Sequence, residues 1–167
     1  EVTAQVGFTR FEAAGTDING DLDMDVERAP LAQDATWLPA AENRGEGVFL
    51  QFQEDEIDAW CERAPVKERG HVLDEGFELW KGEHPQSTRT FPGLPYYLLH
   101  SLSHLLMTAI SLECGYPASA LRERVYAGPG EYGILVYTGS PDAEGTLGGL
   151  VAAGRRISRH FRRALEL

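Results

Sequence analysis

An apolar segment from Tyr96 to Leu112 constrains the fold of this chain more than any other feature. Pro95 suits the first turn of a helix, and Gly115 with the proline that soon follows suits its end. Histidines and serines at 100–104 interrupt the segment, so it lacks the roughly 20 clean apolar residues of a membrane span. Because the segment is apolar on nearly all sides, we expect a buried helix at the centre of the core, over about residues 95–113.

Shorter patterns flank this segment and indicate both helices and strands. Aromatic and branched residues alternate over 48–52, and a continuous apolar run fills 133–138, as expected of strands. Helical periodicity places apolar side chains on one face over 54–63 and again over about 66–80. Residues 119–125 are expected to form a short helix or turn. The sequence therefore predicts an α+β fold, in which a short mixed sheet packs on the central helix.

The length of the chain, 167 residues, is enough for one globular domain, and we expect a single domain over 1–167. The chain opens on Glu1 in a strand-like segment and stops within a helical pattern, which is typical of a fragment of a larger protein. Residues 12–36 are acidic with little to bury and predict a mobile loop. Two cysteines without a signal-peptide pattern favour a cytoplasmic location.

Charge is unevenly distributed along the chain. The formal net charge of −11 would repel nucleic acid if it were spread evenly, because duplex binding depends on neutralising phosphates. The front of the chain is acidic, whereas the final helical segment is predicted to be a basic helix. Its candidate nucleic-acid-binding residues are Arg155, Arg156, Arg159, Arg162 and Arg163. A solvated charged face is the commoner meaning of such a pattern, so both interpretations stay open.

Two histidines, His100 and His104, are four residues apart and therefore share a face of the predicted central helix. Helical metal sites use this spacing, but Ser101 follows His100, so the glutamate of the HExxH protease motif is missing. Cys114, near the end of the same helix, is a weak candidate for a mixed site. The alternative is that both histidines are buried and hydrogen-bond backbone or hydroxyl groups beneath the loop around Asp142.

A glycine-rich loop over 139–149 lies between an apolar strand and a helix, where backbone N–H groups can meet an anion. It lacks the Lys-Ser or Lys-Thr pair of a P-loop and the spacing of a dinucleotide fingerprint. We therefore expect its glycines to permit close packing while Asp142 and Thr146 cap the helix. A hydrolase or nuclease that uses His100, His104 and Asp142, with or without a metal, is the enzymatic alternative.

Five segments of the chain form a recognisable set. They are Trp37–Leu50, Leu99–Leu106, Leu112–Tyr116, Gly133–Thr138 and Gly145–Leu150. In this order they resemble the C-terminal half of DrmB, a subunit family of the bacterial DISARM anti-phage system. That region is a domain of unknown function, also found at the C-terminus of MrfA-type DNA-repair helicases. The motif residues whose role the resemblance leaves unknown are Arg44, Glu46, His100, His104, Asp142, Thr146, Gly148 and Gly149.

The resemblance implies a non-catalytic accessory role in an anti-phage DNA-translocating complex. DrmB-like proteins join a helicase-like DrmA-type subunit, and that complex engages phage DNA. The ATPase motor would lie in this partner, in agreement with the lack of a Walker motif here, and no membrane association is expected. The family's cysteine cluster, thought to bind zinc, lies beyond residue 167. We therefore expect no cofactor in this chain and carry no zinc site over to Cys61 or Cys114.

Overall fold

The computed structural model describes residues 2–10, 13–15, 26–34, 36–42, 44–117, 120–139 and 148–167. Its elements are β1 (Val2–Ala4), β2 (Ala40–Glu42), β3 (Gly47–Gln51), α1 (Glu54–Cys61), α2 (Ala64–Glu83), α3 (Leu94–Cys114), β4 (Leu121–Gly128), β5 (Glu131–Thr138), α4 (Gly149–Gly154) and α5 (Ile157–Ala164). The predicted α+β class is confirmed. The predicted acidic loop over 12–36 lies partly outside the described residues, at 12, 16–25 and 35.

The central helix is the prediction that the structure confirms most directly. Helix α3 begins at Leu94 and buries Leu99, Leu106 and Ile110 against β4, β5 and α5. Gly115 ends the helix with a φ of +74°, in the left-handed region that glycine adopts without a steric penalty. The helix is not enclosed on all sides, because Leu112 is 67% exposed. Some apolar side chains of α3 therefore remain exposed in the described fold.

Within the described residues, two small antiparallel sheets are present instead of the single mixed sheet that the sequence predicts. Strands β1 and β2 form one sheet, and the other has the order β3-β5-β4. Both neighbours of β5 run antiparallel to it. A tight turn between β4 and β5 reverses the chain and accounts for the direction of β4. Strand β5 lies in the middle and buries Tyr132, Ile134 and Val136. This central position explains its continuous apolar run.

The prediction of a short helix or turn over 119–125 is wrong, because Leu121 to Gly128 form strand β4. The error has a physical cause: Arg122, Glu123 and Arg124 have a fair helix propensity, which local reasoning weighs heavily. Burial nevertheless alternates strictly along this segment, as the two faces of a strand require. Hydrogen bonding to β5 along the whole segment outweighs the local preference.

The predicted C-terminal helix is two short helices, α4 and α5, which are separated by a turn at Arg155 and Arg156. Helix α5 buries His160 and Ala164 and turns its arginines outward. In contrast, the 20-residue helix α2 buries only Gly70. None of the helices in the described ranges is both long and apolar enough to cross a bilayer.

Candidate metal centre

The histidine pair lies on one face of α3, as its spacing predicts. The Nε2 atoms of His100 and His104 are 2.9 Å apart. The alternative that both rings are buried is wrong, because the His100 side chain is 28% exposed and that of His104 is 60% exposed. Their ring nitrogens also meet a carboxylate rather than backbone or hydroxyl groups. The pair is therefore accessible to a small ion or molecule from solvent.

Glu123 of β4 completes the cluster, and sequence reasoning missed it. Its Oε1 atom lies 3.0 Å from His100 Nε2 and 3.2 Å from His104 Nε2. The residue is separated from the pair along the chain and falls in the segment that was predicted as a helix or turn. The available signal was alternation: Leu121, Glu123 and Val125 share the inward face of the strand. A carboxylate at an inward position requires a partner, and the histidines supply it.

Ser103 fixes the orientation of the carboxylate. This residue is fully buried, and its hydroxyl contacts the Oε2 atom of Glu123. The same Oγ lies 2.7 Å from the carbonyl oxygen of His100, so its single proton can be donated to either acceptor. The Tyr96 ring packs against His100, with the two ring centroids 5.3 Å apart. With Oε2 held by the serine, Oε1 is left to face both imidazoles.

The cluster is a potential metal-binding group. One ligand atom from each of His100, His104 and Glu123 lies within 4.8 Å of the other two. Two imidazoles and a carboxylate are a donor set that zinc sites use when one coordination position stays open. Cys114, the weak sequence candidate, is not a member of this group.

The two thiols are poorly suited to join a metal site in their present surroundings. Burial, followed by the negative charge of Glu113, raises the pKa of the Cys114 thiol, whereas Arg156 lowers it. Burial, followed by the charges of Asp58 and Glu62, likewise raises the pKa of Cys61. Because the thiolate is the metal-binding form, both effects disfavour a cysteine ligand here.

Glu46, a motif residue of unknown role, caps helix α4. Its carboxylate accepts hydrogen bonds from the backbone N–H groups of Gly148 and Val151, the latter at 3.3 Å. The capping residues expected from the sequence, Asp142 and Thr146, lie outside the described residues, so their role stays a prediction. Glu46 is in turn held to β5, because its N–H donates to Thr138 Oγ1 at 3.0 Å.

Two other motif residues lie in the described ranges: Gly149 packs closely against Tyr116, and Arg44 lies on the surface. At Gly149 a Cβ atom would lie 2.5 Å from the Tyr116 hydroxyl oxygen, so a larger residue would require the buried Tyr116 side chain to shift. Arg44 is 86% exposed and pairs with Glu42 at 3.2 Å. An exposed ion pair of this kind contributes little to stability.

The candidate arginines of the C-terminal segment are all exposed, but they are not equivalent. Arg159 Nε lies 3.4 Å from Glu113 Oε2, and Arg163 pairs with Glu166 at 3.2 Å. These two cations are partly neutralised by their partners. Arg155 and Arg156 are also exposed and lie in the turn before α5.

Comparison with known proteins assigns relatives to this chain. It is 34% identical to the DISARM protein DrmB of Bacillus paralicheniformis over 157 residues, which is 92% of this chain. The resemblance to DrmB is confirmed. The match covers 27% of the DrmB relative, so the chain spans about a quarter of that protein's length. In addition, residues 102–167 match the family model of the MrfA Zn-binding domain.

The residues that match this family model include part of the cluster described above. His104 and Glu123 lie within the matched residues, and His100 is two positions before them. Two imidazoles and one carboxylate are donor types that zinc sites use. The expectation of a cysteine-bound zinc beyond residue 167 stays a prediction.

Proposed function

We propose that this segment is a non-catalytic accessory part of a DISARM-type anti-phage complex, acting in the cytoplasm. The similarity to the DISARM protein DrmB along 92% of the chain carries this proposal. The ATPase motor would lie in a helicase-like DrmA-type partner. Within the complex, the segment would bind that partner and contact DNA through its C-terminal arginines.

Helix α2 supports a binding role because it is poorly covered by the rest of the fold. It has 20 residues and buries only Gly70. Val72 is 53% exposed, and Leu79 is 75% exposed. A partner that covers these exposed apolar side chains removes them from water, and this burial stabilises the complex. We assign this face to the helicase-like subunit.

Co-purification tests the partner role. The full-length protein, co-expressed with a helicase-like DrmA-type subunit, is expected to form a stable complex that Leu79→Asp disrupts, because the charge would be buried at the interface. Leu165→Asp is a matched control, since Leu165 is also 75% exposed but lies at the end of α5. If the unmodified proteins do not associate, the accessory role is wrong. If Leu79→Asp still forms the complex, α2 is not the interface.

DNA binding through the arginine turn gives a separate prediction. Reversing Arg155 and Arg156 to glutamate in the full-length protein should weaken duplex binding for every sequence. The salt dependence should flatten, because each lost phosphate contact removes about 0.9 from the slope of log K against log salt concentration, about 1.8 for two. Fluorescence anisotropy at several salt concentrations measures both effects.

A second double reversal, Arg63→Glu with Lys67→Glu, makes the same change in net charge at the start of α2. It should leave the salt slope close to that of the unmodified protein. Equal slopes for all three proteins would exclude the arginine turn from the DNA interface.

A further inference from the structure

We propose that His100, His104 and Glu123 bind a divalent transition-metal ion, and that Zn²⁺ is the ion their donors fit best. This would be a site separate from the cysteine cluster that the DrmB resemblance implies beyond residue 167. The proposal rests on the contacts within the described chain and does not depend on the accessory role. Three observations carry it: three convergent ligand atoms, the distances between them, and a buried residue that orients one ligand.

Three potential ligand atoms converge in the cluster. The separations are 2.9 Å between the two Nε2 atoms, and 3.0 and 3.2 Å from these atoms to Glu123 Oε1. Each imidazole Nε2 and the carboxylate Oε1 can present a lone pair, the form in which these atoms coordinate a metal ion. A cation in the middle attracts all three atoms at once.

The dimensions of the triangle also suit a metal. A tetrahedral zinc ion with ligand distances of about 2.0–2.1 Å places neighbouring ligand atoms about 3.3 Å apart. The observed separations of 2.9 to 3.2 Å require an expansion of only a few tenths of an ångström. Three ligands leave a fourth position for water. The 60% exposure of the His104 side chain indicates that this position faces solvent.

Ser103 provides the support that metal ligands need from their surroundings. Its buried hydroxyl contacts Glu123 Oε2 and so directs Oε1 toward the histidines. A carboxylate ligand that is oriented by such a hydrogen bond loses less side-chain entropy when it binds an ion. The fully buried serine thus gives the cluster a fixed third ligand on β4, opposite the two ligands on α3.

Zinc content tests the proposal. The full-length protein is freed of metal, reconstituted with Zn²⁺, dialysed and measured by elemental analysis beside His104→Ala and Glu123→Gln. Each variant is expected to retain one zinc equivalent less than the unmodified protein. His71→Ala is the control, because this exposed histidine lies on α2 and is not a member of the cluster. Ser103→Ala should weaken zinc binding by about 10- to 100-fold.

Cobalt substitution keeps the test decisive if a variant fails to fold. Co²⁺ is added in steps to the metal-free unmodified protein. One equivalent of bound cobalt should give d–d absorption without a thiolate charge-transfer band, as expected of nitrogen and oxygen ligands. Added Zn²⁺ should also raise the Tm of His71→Ala more than that of His104→Ala, because an ion stabilises the state that binds it. Equal zinc contents in folded variants and control, or cobalt bound through thiolates alone, would overturn the proposal.

Discussion

Replacing Leu99 with alanine is expected to lower the free energy of unfolding by about 3 kcal/mol. Leu99 is fully buried on α3 and belongs to the core cluster that contains Ile134 of β5 and Leu150 of α4. The substitution removes apolar contacts and leaves a cavity between α3, β5 and α4. The sheet and the cap on α4 hold these elements in position. The surrounding side chains relax only partly into such a cavity. The variant therefore loses the transfer free energy of the removed atoms and also bears the cost of the remaining cavity.

Urea unfolding monitored by circular dichroism measures this loss. Leu112→Ala is a matched control, because it makes the same chemical change on the same helix at a residue that is 67% exposed. The control should change stability by no more than about 0.5 kcal/mol. Equal losses in the two variants would show that the described packing of α3 does not hold in solution.

Replacing Glu46 with alanine is expected to cost about 2 kcal/mol, because charge-assisted hydrogen bonds to the start of α4 are lost. The carboxylate accepts hydrogen bonds from the Gly148 and Val151 N–H groups. Its negative charge also lies at the positive end of the helix dipole, which is a favourable position. Helix α4 is only six residues long, so it depends strongly on this cap. The loss should appear in thermal or urea unfolding.

Glu42→Ala provides the comparison for Glu46. Glu42 is 60% exposed and pairs with Arg44, which is 86% exposed, so its removal should change stability by less than about 1 kcal/mol. Glu46→Gln should retain part of the stability, because the amide oxygen can still accept one hydrogen bond. A loss no larger than that of Glu42→Ala would mean that the cap is not formed. Confirmation would give Glu46 a structural role.

Local patterns in the sequence were sufficient for the elements with strong periodicity. The apolar run around Leu99 predicts α3, and the run at 133–138 predicts the central strand β5, because each element buries its own side chains in a regular pattern. The four-residue spacing of His100 and His104 predicts that they share a helix face. The order of motifs also identifies the DrmB resemblance, since it requires no three-dimensional information.

Tertiary structure decided the features that depend on contacts between distant segments. Strand β4 forms because β5 supplies its hydrogen-bond partners, although its local residues favour a helix. That pairing brings Glu123 to the histidines of α3, and the return of the chain brings Glu46 to the start of α4. The sequence by itself determined where the main helix and the central strand lie, because periodicity is local. The third ligand and the helix cap required the fold, because long-range pairing determines which side chains meet.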